Sequence, residues 1–166
     1  MRTLPIPTTT DDIMFEIVDL PRVAEFRAHL AQILIDEWSH LFPDDTVEWC
    51  LEVWGQVDAS GDAAPHCVVA MDDGALLGSA SVLPDDGLTD APEPGPWLAL
   101  TWVDPAHRRR GIGAAMVREL MARCPEGLWL YTESGENWYA RMGWTTVRRD
   151  SINGHPVTVM KVPANR

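Results

Sequence analysis

The stretch Val103-Asp104-Pro105-Ala106-His107-Arg108-Arg109-Arg110-Gly111-Ile112-Gly113-Ala114-Ala115 decides how the rest of the chain is read. Before it, Trp97–Val103 (WLALTWV) is apolar almost throughout, the pattern of a central strand buried on both faces. After it, Ile112, Met116, Val117, Leu120, Met121 and Cys124 recur at helical spacing until Pro125 and Gly127 stop the run. A buried strand thus passes through a basic turn and two glycines into an amphipathic helix. First-turn amides of a helix have no partner within it, and the helix dipole adds partial positive charge there. Glycine lets a ligand approach those amides closely and the arginines add charge-assisted contacts, so the segment reads as a phosphate cradle. A bare Gly-x-Gly is met as readily by a tight strand-to-helix turn. The flanking strand, the helix and the Arg108–Arg110 triplet favour the cradle. A dinucleotide fingerprint would need glycine where Met116 stands, and a P-loop would need Gly-Lys-Ser/Thr in a chain whose one lysine is Lys161.

Outward from that segment, the N-terminal half alternates strand and helix signals. Residues 13–18 (IMFEIV) read as a strand, and Asp19 with Pro21 opens a helix carrying Val23, Phe26, Leu30, Ile33, Leu34 and Trp38 on one face. Asp45 with Glu48 has capping-box spacing and opens a second helix with the stripe Val47, Cys50, Leu51 and Trp54. Asp58–Pro65 reads as a loop. His66–Met71 and Ala75–Leu83 read as strands joined by Asp72-Asp73-Gly74, a hairpin signal. Residues 84–96, with four prolines and four acids, read as a long exposed loop of the kind that is functional or mobile. Leu128–Tyr131 is a short strand, Asn137–Met142 a brief helix, and Trp144–Arg149 and His155–Val162 flank the hairpin dipeptide Asn153-Gly154. The order β-α-α-β-β-β-α-β-α-β-β specifies one α+β domain over 1–166, its core about 13–162, with a mixed sheet.

Composition narrows the function classes. At 166 residues, 46% apolar and 23% charged, the chain is an ordinary globular domain. No apolar run reaches the roughly 20 residues that span a bilayer, and MRTLPIPTTTDD lacks the apolar core of a signal peptide, so no membrane partner and a cytoplasmic location are expected. Cys50, Cys67 and Cys124 are odd in number and far apart, so neither a disulfide framework nor a metal site is expected. The net charge of −12 is uneven. Residues 1–100 hold 3 basic and 19 acidic side chains, whereas 101–150 hold 8 and 6 and the tail holds 2 and 0. A chain this acidic is a poor nucleic-acid binder, and its basic residues sit where one compact anion could bind.

At this point the sequence resembles the GNAT superfamily of acetyl-CoA-dependent N-acetyltransferases. Arg108-Arg109-Arg110-Gly111-Ile112-Gly113 matches its Arg/Gln-x-x-Gly-x-Gly/Ala signature. Trp138-Tyr139-Ala140-Arg141-Met142-Gly143-Trp144 matches its later aromatic-Tyr-x-x-x-Gly-aromatic block. The resemblance implies a single-domain GNAT fold, a mixed, mostly antiparallel central sheet flanked by helices. It implies that amides of Arg109–Ala114 hold the CoA pyrophosphate, with Arg108 in the same turn. The edge of Thr101-Trp102-Val103 would hydrogen-bond the pantetheine, Asn137 would lie near that arm, and Tyr139 would protonate the departing thiolate.

Two departures leave the general base open. Thr132 stands where many relatives carry Asn seven residues before the tyrosine, and Trp97–Val103 contains no acid. Glu133, His155, Glu93 and Glu37 are the candidates, and Glu37, Trp38, Trp97, Glu133 and His155 are candidate acceptor contacts. The implied reaction is direct acetyl transfer from acetyl-CoA to an amine of a small molecule or peptide. The acid-rich first hundred residues would favour a cationic one. The alternative is a GNAT-fold acyl-CoA sensor or scaffold without transferase activity.

Overall fold

The computed structural model describes residues 15–60, 66–88 and 90–164. Seven strands form one sheet in the order β1-β2-β3-β4-β5-β7-β6. They are β1 (Glu16–Asp19), β2 (His66–Asp72), β3 (Ala75–Leu83), β4 (Trp97–Val103), β5 (Leu128–Thr132), β6 (Thr145–Ile152) and β7 (His155–Val162). Four helices accompany them: α1 (Arg27–Trp38), α2 (Val47–Ser60), α3 (Ile112–Arg123) and α4 (Glu136–Ala140). Every neighbouring strand pair is antiparallel except β4 with β5. The expected architecture, a mixed and mostly antiparallel sheet flanked by helices, is the one found.

Alternation along β2 explains the layering. Val68 and Ala70 pack with Ile112, Met116 and Leu120 of α3 on one face. Cys67, Val69 and Met71 pack with Leu30, Leu34 and Trp54 of α1 and α2 on the other. Both faces are covered, which is why the strands read as continuous apolar runs. Fully burying one such side chain contributes about 1.5–3 kcal/mol. A third cluster, centred on Leu41, Leu88, Trp97 and Val159, closes the end of the sheet.

Several local expectations are corrected. The first strand begins at Glu16 rather than residue 13, and residues 13 and 14 lie outside the described residues. The first helix does not run from Pro21: Leu20–Phe26 is 3₁₀, broken at Val23 (φ −131°, ψ 44°), and α1 starts at Arg27. Asp19 caps nothing, because its carboxylate accepts from Arg123 Nη1 at 2.6 Å. The second helix is capped by Thr46, whose Oγ1 accepts from the Trp49 amide at 3.2 Å, and not by an Asp45–Glu48 box. Its Leu51 is 37% exposed, outside the buried stripe of Cys50 and Trp54. This helix runs on to Ser60, past the expected loop start at Asp58, while 61–65 lie outside the described residues. The brief helix is Glu136–Ala140, and β6 starts one residue later and runs three further than read, Trp144 being buried core.

The loop at 84–96 is anchored rather than simply exposed. Leu88 is buried with Trp97, and Glu93, its side chain 4% exposed, accepts two hydrogen bonds from Arg148 at 2.7 and 3.0 Å. Arg148 also bonds Asp150 beside it. Replacing Arg148 by methionine is expected to cost about 1–2 kcal/mol, because the enclosed carboxylate loses charged hydrogen bonds while Arg148 itself is part-exposed and screened. Chemical denaturation checks this. The bonds from Arg148 hold the Glu93 carboxyl below its ordinary pKa. Its contribution is therefore present above the unfolded glutamate pKa and lost as pH falls through the lower folded value. Glu93→Gln should flatten that part of the acid dependence.

Candidate functional site

Two irregularities in β4 build the site. Its register with β3 passes from Ser81↔Ala99 to Ser79↔Trp102, so β4 carries one extra residue, and Leu100 takes φ 53°. This is a β-bulge, and it bends the strand. On the other side β4 pairs with β5 at Trp97↔Trp129, where the Trp129 amide donates to the Pro96 carbonyl at 3.0 Å. Beyond that point the two strands share no further bridge among the described residues. The free edge of β4 borders a cleft of about 680 Å³.

Leu98–Thr101 lines the cleft from β4. One wall runs from the end of α1 to the start of α2 and includes Glu37, Trp38, His40 and Asp45. The facing wall combines Asp85 and Asp86 from the β3–β4 loop with Tyr131–Ser134 and Tyr139. His40 Nε2 lies 2.8 Å from Glu133 Oε2, joining the two walls, and Asn153 Nδ2 donates to the carbonyl of Leu41, the residue after His40. His40 is the one imidazole among the described lining residues, and no lysine or arginine accompanies it.

The basic turn lies past the far end of β4. Arg108 Nε donates to the Val103 carbonyl at 2.8 Å, and Asp104 Oδ1 accepts from the Ala106 amide at 2.8 Å, so both clamp the turn to the strand end. Arg109 (φ 64°) and Gly111 (φ 78°) are left-handed, which turns the chain into α3 within four residues. Ala115 N–H donates to the Gly111 carbonyl at 3.0 Å, the first bond of the helix ladder. The amides of Ile112, Gly113 and Ala114 therefore lie in the first turn without an intrahelical acceptor. Gly111 and Gly113 serve different needs. A Cβ at Gly111 would meet nothing within 4 Å, so its requirement is its φ. A Cβ at Gly113 would sit 3.3 Å from Trp138 and 3.4 Å from Val103, so its requirement is close packing of α3, α4 and β4.

Tyr139 lines the cleft, and Trp138 beside it packs on Gly113. The Tyr139 ring packs edge-on against Trp138 and Trp144, with centroids at 4.7 and 5.8 Å. Burial pushes its hydroxyl up to about 12, Thr101 works the other way, and the charge of Asp86 adds to the rise. Thr101 Oγ1 is itself buried and without a hydrogen-bond partner of ordinary geometry. Trp102 packs toward α1 and α2 and Val103 toward α3, so what Thr101–Val103 offer a ligand is backbone.

The other residues singled out from sequence are dispersed. Glu37, Trp38 and Glu133 line the cleft with Tyr139. Trp97 lies behind it, buried against Trp129 and Tyr131. His155 stands at the rim, its ring 5.2 Å from that of His40 and its Nδ1 3.9 Å from Glu133. Asn137 is exposed and borders a second depression, with Glu136 and Arg149, that shares Glu133 and Ser134 with the cleft. Glu93 is outside the cleft, held by Arg148. Sequence reading missed Asp86, Tyr131 and His40. Only the acid density of the 84–96 loop hinted at the first.

Comparisons with known proteins agree with this geometry. Residues 23–144 match the model of the acetyltransferase (GNAT) family. The chain is 38% identical over 95 residues to a mycothiol acetyltransferase of Kineococcus radiotolerans, a match covering 54% of this chain and 30% of that protein. It thus spans under a third of that relative's length. Among solved structures, a GNAT-family acetyltransferase of Staphylococcus aureus Mu50 superposes with a TM-score of 0.66 at 13% identity, over 90% of this chain and 98% of that one. An aminoglycoside 6'-N-acetyltransferase complexed with coenzyme A gives 0.64 at 17%, over 88% and 95%. By fold, by turn and by family match, the chain belongs to the GNAT acetyltransferase family.

Proposed function

We propose that the protein moves an acetyl group from acetyl-CoA to a primary amine of a small molecule or peptide, by direct attack, and that the acceptor is cationic. The observation that carries the reading is the cleft, where the free edge of β4 and Tyr139 meet a wall of carboxylates and aromatic rings. The three first-turn amides of α3, with Arg109 and Arg110, suit a diphosphate. The edge of β4 at Thr101–Val103, which no strand bridges among the described residues although Arg108 holds the Val103 carbonyl, suits an extended amide-bearing arm. Acetyl-CoA supplies the acetyl group as a thioester whose sulfur departs as thiolate.

The protein's own groups support direct attack. Tyr139, with its pKa near 12, keeps its proton throughout the neutral range and holds it ready for the sulfur. Cys50 borders the cleft but is buried, and burial lifts its thiol to about 11; Cys67 is lifted to about 12. Neither offers a thiolate at neutral pH for a covalent intermediate.

The cationic acceptor rests on charge. Glu37, Asp45, Asp85, Asp86 and Glu133 all border the cleft. Such a wall attracts ammonium groups and speeds encounter, an effect that salt screens. The same field raises the bound amine's pKa, so the rate should climb with pH. The test compares kcat/KM for an aliphatic diamine and the amino alcohol of equal length across an ionic-strength series. The expected result is a preference for the diamine that shrinks with salt. A preference for the neutral-ended acceptor without salt dependence would overturn it.

A further inference from the structure

We propose that the Asp86 carboxylate is the group that takes the proton from the acceptor amine. This inference rests on the transferase reading above and supplies the base that β4 lacks. Asp86 sits in the β3–β4 loop, half-buried, and borders the same cleft as Tyr139. The Tyr131 hydroxyl donates to its backbone carbonyl at 2.8 Å, which fixes the residue against β5.

Pairing, exposure and position together separate Asp86 from the other acids: Glu37 is exposed, and Asp45, unpaired like Asp86, stands on the wall opposite Tyr139. Glu133 is bonded to His40, Glu93 to Arg148, and Asp85 Oδ1 accepts the Gly87 amide at 3.0 Å. Asp86 has no ion pair among the described residues. An enclosed carboxylate without a cation is costly, and the cation that completes it is the acceptor's ammonium.

The titratable groups facing it come from every neighbouring element. They are Asp85 on its own loop, Asp45 ahead of α2, Tyr131 on β5 and Tyr139 on α4, with Glu37, His40 and Glu133 farther along the rim. Burial lifts its carboxyl well above the aspartate range, Asp85 and Asp45 lift it further, and the Tyr131 hydroxyl works against them. Asp86 also raises the pKa of Tyr139. One cleft thus holds a carboxylate made more basic and a phenol kept protonated, the division of roles that acid–base catalysis needs.

The protons balance. An N–H bond of the ammonium breaks, its electron pair stays on nitrogen, and the proton goes to Asp86. As the C–N bond forms and the thioester C–S bond breaks, the Tyr139 proton passes to sulfur. The second nitrogen proton returns through water to the Tyr139 oxygen. Asp86 releases its proton to solvent with the product.

The test uses Asp86→Asn and Asp86→Glu in the full chain, with the diamine as acceptor. Asp86→Asn should lower kcat by about 10²–10⁴-fold and shift the acidic limb of the pH–rate profile toward the higher pH at which the bound amine loses its proton unaided, with Asp86→Glu restoring part of both. Acetyl-CoA affinity by calorimetry should be unchanged in both, which also reports folding. A carbon-NMR titration of the protein alone should find a carboxyl titrating well above the aspartate range that Asp86→Asn removes. A kcat within about threefold of the parent with the acidic limb unmoved, or an ordinary Asp86 titration, overturns the assignment. Absence of amine-dependent CoA release by the parent counts against the transferase reading instead, while the titration still decides on Asp86.

Discussion

Replacing Tyr139 by phenylalanine is expected to lower kcat by about 10²–10⁴-fold while leaving acetyl-CoA affinity intact. The ring is held edge-on between Trp138 and Trp144, and phenylalanine fills the same space. What disappears is one hydroxyl, half-enclosed and facing the buried Thr101 Oγ1. Because burial keeps that hydroxyl protonated to about pH 12, its ionisation contributes no basic limb to the parent's profile at lower pH. The variant should therefore fall by a near-constant factor across pH 6–10. Rapid-quench turnover at saturating substrates checks this, since a slow product-release step would hide it. An unchanged chemical rate removes Tyr139 from the mechanism.

The second large effect concerns the turn. Gly111→Val should weaken acetyl-CoA binding by about fivefold to thirtyfold, for a conformational reason. Gly111 holds φ 78°, a left-handed conformation that costs a β-branched residue about 1–2 kcal/mol or more, and each 1.4 kcal/mol is tenfold in affinity. A Cβ there meets no protein atom, so the strain lands on the turn and the first amides of α3 rather than on the core. Ile112, Met116 and Leu120 still anchor the helix. Calorimetry reads the affinity and thermal unfolding reads the fold. Parental affinity in a folded variant would mean that the turn does not hold the diphosphate.

The fold was legible in the sequence wherever the pattern was local and strong. Asp72-Asp73-Gly74 and Asn153-Gly154 both formed their hairpins, with positive φ at Asp73, Gly74, Asn153 and Gly154 as a type I′ turn demands. The basic turn and the α3 stripe could be read because dipole, glycine and periodicity point the same way there. Competition decided what was missed. Asp19 looked like a helix cap until Arg123, 104 residues later, claimed its carboxylate. Asp45 lost its cap role to Thr46, a choice between neighbours that spacing rules do not resolve. Trp97 is indistinguishable in sequence from a cleft residue, and only the Trp129–Tyr131 packing shows that it lies behind. Asp86 was hidden for the opposite reason. A run of acids and prolines reads as solvated loop, and its enclosure depends on Tyr131, from a strand 45 positions on.

One measurement tests the central claim, that this cleft serves acetyl transfer to an amine. Purified protein is incubated with acetyl-CoA and a panel of primary amines, and both thiol release and the mass of each amine are followed. The expected result is thiol release that depends on the amine, matched by amines heavier by one acetyl group and led by cationic members of the panel. Acetyl-CoA binding by calorimetry with neither thiol release nor any acetylated amine would contradict it, and would instead describe a protein that holds the thioester without transferring it.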